Sequence, residues 1–220
     1  MDMWRRDASG VFLEGHDTIE KILALKSRGV QVFYLAGNHD YHVVDLDNPA
    51  YPVQFNKELS LIDGQVTYRF VHGYQFDPEQ KLPFMAFLCR VMSDRAAPLE
   101  EHLWTDFNSL NSIFSKIEPS FVKADIAAIA GRLQRPPEDR LRGSVAQINS
   151  TACKQVRPGE VLVFGHTHVP FVNKAENVAN CGSWVKDSNP HNTYVELSGG
   201  KPRLFIFGAQ KQEITERIEC

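Results

Sequence analysis

The chain has 220 residues, 43% of them hydrophobic and 23% charged, so it can bury a substantial core and is too apolar for a disordered tail. A formal net charge of −3, from 24 Lys and Arg against 27 Asp and Glu, leaves no basic excess for nucleic acid. Such a length fits one domain with room for an insertion.

No stretch reaches the ~18 uninterrupted apolar residues of a membrane span. The opening "MDMWRRDASG" shows no apolar signal-peptide core. The four cysteines, Cys89, Cys153, Cys181 and Cys220, are scattered without a CxxC and read as free thiols of a cytoplasmic protein.

In chain order, "GHDTIEKILALKSRG" reads as a helix with Ile19, Ile22, Leu23 and Leu25 on one face and Gly29 as its stop. A strand is expected over 30–36. "LSLIDG" and "VTYRFVHG" read as two strands joined in a hairpin at Asp63-Gly64. From Pro78 to about Pro158 the pattern turns helical. Leu99, Leu103, Phe107, Leu110, Phe114 and Ile117 form one stripe, stopped at Pro119. "FVKADIAAIAGRL" starts a second helix, and "PPEDRLRGSVAQINSTACKQV" a third, opened by its prolines. Strands return in "VLVFG", "ENVANCGSWV", "TYVELSG" and "KPRLFIF". The expected organisation is a single domain over 1–220, with 78–158 as a helical insert.

Three polar clusters break this pattern at strand ends. "VFYLAG" runs into Asn38-His39-Asp40, "TYRFV" into His72-Gly73, and "VLVFG" into His166-Thr167-His168. Taken singly they are ordinary: Asn38 suits a turn, His72 a strand end, and His166 and His168 would face opposite ways on an extended segment. Together they supply imidazole and amide donors suited to a divalent transition metal. A turn that breaks the strand would let both histidines of "GHTH" point into one site.

In these residues the sequence resembles the calcineurin-like metallophosphoesterases. "GNHD" at 37–40, "HG" at 72–73 and "GHTH" at 165–168 match three of that family's five signature blocks, in family order. "GHTHVP" and "NCGSWV" are most similar to the branch containing the UDP-2,3-diacylglucosamine pyrophosphatases. The resemblance implies an α/β fold of two packed mixed β-sheets flanked by helices. It implies a two-metal centre, with Mn the expected ion and Fe or Zn the alternatives. Asn38, His72 and His166 would hold one metal, and His168 would serve the other. His39 would lie beside the scissile phosphate, stabilising charge or protonating the leaving oxygen, with Asp40 orienting it.

Two departures bear on the substrate. Tyr74 stands in "HGYQFD" where the pyrophosphatase branch often has an aspartate, and His39 stands where many lipid-pathway members carry arginine.

The family's two earlier blocks, an Asp-x-His and a Gly-Asp-x-x-Asp, have no counterpart ahead of "GNHD". "MDMWRRD" looks like the tail of the second, with Asp2 as its last acidic residue, so the chain is expected to begin inside a motif, a true short form being the alternative, and to be impaired in the metal that His168 serves. The implied function is hydrolysis of a phosphodiester or pyrophosphate bond in a small phosphoester, including a nucleotide-linked lipid precursor of the UDP-2,3-diacylglucosamine type. The alternative is a non-catalytic interaction module on a phosphoesterase fold. The insert would cap the pocket. Its segment 82–92, "LPFMAFLCRVM", would pack on the body, line an acyl site or touch a membrane surface. The sequence leaves the oligomeric state open.

Overall fold

The computed structural model describes residues 8–46, 53–78, 80, 137–186 and 189–215. The chain divides into two compact units, Met1–Asn56 with Glu79–Pro137 and Lys57–Pro78 with Glu138–Cys220. The stripe from Leu99 to Ile117, the segment "FVKADIAAIAGRL", the apolar run 82–92 and the opening around Asp2 lie outside the described residues.

In the first unit, α1 spans Ala8–Ser27, β1 Val32–Leu35 and β2 Val53–Asn56, with a 3-10 turn at Tyr41–Leu46. The helix begins seven residues earlier than its apolar pattern alone suggested. Ile19, Ile22 and Leu25 are half-buried along one stripe, whereas Leu23 falls off it and is exposed. Gly29, at φ 77°, ends the helix: its N–H donates to the Lys26 carbonyl (3.0 Å), and the Val30 N–H to the Leu25 carbonyl (3.1 Å). That pair of bonds satisfies carbonyls left open at the helix end, and glycine takes the left-handed position without a Cβ penalty. Strands β1 and β2 pair in parallel, from Val32↔Val53 to Leu35↔Asn56. "NHD" therefore sits at the carboxyl end of β1, at the start of the crossover.

The second unit holds β3 (Glu58–Asp63), β4 (Val66–Val71), a 3-10 turn at Tyr74–Phe76, α2 (Pro137–Lys154), β5 (Glu160–Phe164), β6 (Phe171–Asn173), β7 (Val178–Asn180), β8 (Thr193–Ser198), β9 (Lys201–Ile206) and β10 (Gln212–Ile214). The hairpin expected at Asp63-Gly64 is present. Asp63 pairs with Val66 across a two-residue turn in which Gly64 takes φ 61°. The third helix expected from its prolines is α2.

One mixed sheet has the order β3-β4-β5-β7-β6, and an antiparallel sheet the order β10-β9-β8. Their facing surfaces share a core: Val161 and Val163 pack with Val195 and Leu197, and Val172 and Ala179 with Leu204. The opposite face of the mixed sheet carries Leu162, Phe164, Phe171 and Val178, which pack with Ile148 and Ala152 of α2. Alternate residues of β5 thus point into two different cores, and the whole strand is buried. Each fully buried Leu or Phe contributes about 1.5–3 kcal/mol. These layers form the mixed α/β architecture with facing sheets that the sequence suggested. The reading of four free thiols fails at Cys153, which is buried in the α2 core and disulfide-bonded. Cys181 is free.

At the start of β5, Glu160 and Arg69 form a buried ion pair, with Nε 2.6 Å from Oε1; Arg69 Nη2 also donates to the Gln155 carbonyl (2.9 Å). The pair locks β4 to β5 in register. Arg69→Ala leaves Glu160 buried without its partner, so unfolding free energy measured in urea is expected to fall by about 3–5 kcal/mol. Replacing both residues with apolar ones of similar volume should cost much less. Equal losses for the single and double changes would contradict this reading.

Candidate active site

Strands β4 and β5 run parallel, from Thr67↔Glu160 to Phe70↔Val163, so their carboxyl ends reach the same edge of the sheet. His72 follows the first and Gly165-His166 the second. The Gly165 N–H donates to the His72 carbonyl over 2.8 Å, carrying the ladder past both strands. The imidazoles of His72 and His166 then lie with ring centroids 5.3 Å apart. Gly73 makes this approach possible. It sits at φ 118°, and a Cβ there would meet the His166 Cβ at 2.9 Å and the Gly165 carbonyl oxygen at 3.0 Å.

The turn at "GHTH" is tighter than glycine chemistry alone suggests. Gly165 is not in the left-handed region; His166, at φ 71°, and His168, at φ 60°, are. The Thr167 N–H donates back to the Gly165 carbonyl (2.8 Å), closing a three-residue γ-turn around His166. This form of the γ-turn is rare and strained, and a non-glycine residue held so costs about 1–3 kcal/mol.

Asn180 holds the turn from the neighbouring strand. Fully buried, it donates from Nδ2 to the Gly165 carbonyl and to Thr167 Oγ1, both at 2.9 Å, and its Oδ1 accepts the Gly182 N–H (2.9 Å). Thr193, donating to the Cys181 carbonyl (2.7 Å), fixes that segment in turn. His166 is mostly covered, and its Nε2 lies 3.1 Å from Asp77 Oδ2. His168 is exposed.

In the first unit, Asn38 and Asp40 are buried and His39 is half-buried at the end of β1. The Asp40 carboxylate accepts the Gly37 N–H (2.6 Å) and the Tyr34 hydroxyl, tying the polar turn back to the strand. Tyr34 is held well above the usual phenol range, first by burial and then by the charge and hydrogen bond of Asp40. It also packs on Phe55, its neighbour across the β1–β2 ladder, at 5.7 Å. Asp40 thus has a visible structural duty besides any orientation of His39.

A family model described as calcineurin-like phosphoesterase matches residues 10–170, which takes in "GNHD", "HG" and "GHTH". The chain belongs to the calcineurin-like phosphoesterase family. No curated protein and no solved structure matches it. The supports at Asn180 and Gly182 lie beyond the matched span of the phosphoesterase domain.

Phosphoesterases of this family act with divalent metal ions, and the chain's donors can be tested against that need. Two imidazoles from adjacent strand ends suit such an ion. Among the described residues no group of three or more His, Cys, Asp and Glu is gathered that could hold one. His72 and His166 therefore fit as a two-nitrogen half-site that needs further donors. Sequence reasoning found both histidines but missed Asp77 and Asn180. Asn180 stands within the "NCGSWV" block that was singled out only for its resemblance.

Gly73→Ala is expected to lower stability in a urea melt by about 1–3 kcal/mol from the backbone conformation alone, and to shift the His166 ring resonances. Gly165→Ala serves as the control, since its Cβ would meet nothing closer than Cys181 Sγ at 3.4 Å. Equal tolerance of both changes would contradict the close approach of the two strand ends.

Proposed function

We propose that this phosphoesterase hydrolyses a phosphodiester or pyrophosphate bond in a small substrate, and that Asn38, His72 and His166 hold one divalent ion while His168 serves a second. The juxtaposition of His72 and His166 at two parallel strand ends carries this reading. The roles of Asn38, His39 and His168 rest on the motifs in which they stand. Manganese is the proposed ion, with Fe or Zn as alternatives. When bound, such ions polarise the phosphate and lower the pKa of a coordinated water.

The remaining work falls to the chain's own side chains. His39 stabilises the developing charge or protonates the departing oxygen. Asp40, anchored by Tyr34 and the Gly37 N–H, holds the turn that carries His39. The His166 turn is kept in shape by Asn180, which holds the Gly165 carbonyl and the Thr167 hydroxyl.

The finer proposal is a nucleotide-linked lipid precursor of the UDP-2,3-diacylglucosamine type, supported by the "GHTHVP" and "NCGSWV" blocks. In that reading the protein is cytoplasmic, 1–220 is a single domain with 78–158 as its cap insertion, and the apolar run 82–92 meets acyl chains or a membrane surface. The described end of the 78–158 stretch, α2, packs in the second unit's core.

The test is hydrolysis of an aryl phosphodiester and of a nucleotide-diphosphate lipid, with and without Mn²⁺, alongside metal content. Turnover is expected to be Mn²⁺-stimulated and abolished by chelator. His39→Ala should lower kcat by about 10²–10⁴-fold with metal content unchanged, whereas His72→Ala should lower metal content itself. Metal binding without cleavage of either substrate would overturn the catalytic reading and favour a non-catalytic interaction module.

A further inference from the structure

His166 owes its orientation to a residue that no motif assigns. After Gly73 the chain makes a 3-10 turn over Tyr74–Phe76, closed by Phe76 N–H to the Gly73 carbonyl and Asp77 N–H to the Tyr74 carbonyl, both 3.0 Å. Phe76 is buried and packs edge-on against Phe164 at 5.5 Å, so the turn cannot swing without opening the α2 core. That anchoring delivers the Asp77 carboxylate to 3.1 Å from His166 Nε2, with both side chains largely covered (11% and 13% exposed).

An ionised carboxylate can only accept a hydrogen bond. Nε2 must therefore carry the hydrogen, and in the neutral ring the lone pair is left on Nδ1. We propose that Asp77 is a positioning residue that holds His166 in the Nε2–H tautomer and presents Nδ1 to a divalent ion. The inference rests on the metal-site reading of His72 and His166. Its physical basis is general: a carboxylate on the far nitrogen fixes a ligating imidazole's rotation and raises its basicity, and losing it typically lowers metal affinity 10–100-fold. Asp77 acts through His166, and the 3-10 turn that ends at its N–H bond to the Tyr74 carbonyl places it there.

The test uses the full chain labelled with ¹⁵N-histidine, at a mildly alkaline pH where imidazole is neutral. Long-range ¹H–¹⁵N correlations read which nitrogen carries the hydrogen, and loss of one spin system in His166→Gln assigns the ring. Zn²⁺, being diamagnetic, is the probe, with its affinity measured by calorimetry. The wild-type ring should show the Nε2–H pattern, and zinc should move Nδ1. Asp77→Ala should give mixed tautomers and a 10–100-fold weaker zinc affinity. Asp77→Asn, which keeps an oxygen acceptor and the side-chain volume, should fall between, and it carries the test if Asp77→Ala does not fold.

An Nδ1–H tautomer in the wild type, zinc shifting Nε2, or unchanged zinc affinity in both folded variants would overturn the role of Asp77 alone. An Nε2–H tautomer with neither His72 nor His166 responding to zinc would overturn the metal-site reading and the inference with it.

Discussion

The bond from the Gly165 N–H to the His72 carbonyl is the constraint on which the second unit's polar edge depends. It extends a parallel ladder whose register is set at the other end by the buried Arg69–Glu160 pair. Parallel strands bring their carboxyl ends to one side, and a ladder in register brings them level. The residues that follow must then leave the sheet beside each other, at a separation too small for a side chain. Glycine at position 73 meets that steric demand, and the two histidines are left side by side. A one-residue slip of β4 against β5 would reverse every side chain on the strand and exchange its two cores.

The edge is stiffened from both sides. The γ-turn at His166 is intrinsically unfavourable, and buried bonds from Asn180 compensate for it. The support continues through Gly182, at φ 71°, where a Cβ would run into Thr193 and Pro170. Strained backbone held by well-packed neighbours is a recurrent feature of functional sites. Asp77 adds a tether from the opposite direction, through a turn whose base is Phe76. The first unit uses a different device at the end of β1: one carboxylate, Asp40, ties a backbone N–H and a buried tyrosine together.

Much of this was legible in the sequence where local chemistry is decisive. The apolar run of β5, the Asp63-Gly64 hairpin, the glycine stop of α1 and the proline start of α2 each follow from a few adjacent residues. The three-residue strands β6 and β10 and the four-residue β2 were missed, because so short a run has no periodicity to read. Leu23 was assigned to the buried stripe of α1 from hydrophobicity alone, and the helix turns it outward. His72 and His166 were found because each follows a strand. Asp77 and Asn180 were not, because their roles are tertiary: Asp77 is 89 residues from His166 in sequence, and Asn180 is 15 from Gly165. The cysteines misled for the same reason, since scattered spacing says nothing about which thiols meet in space.

The most direct test of the central claim is anomalous diffraction at the manganese edge from crystals of the full chain grown with Mn²⁺. If the join of β4 and β5 builds half of a metal centre, a peak should stand within bonding distance of both His72 and His166. A difference map with the two rings in place and no anomalous peak beside them, at saturating Mn²⁺, would contradict it.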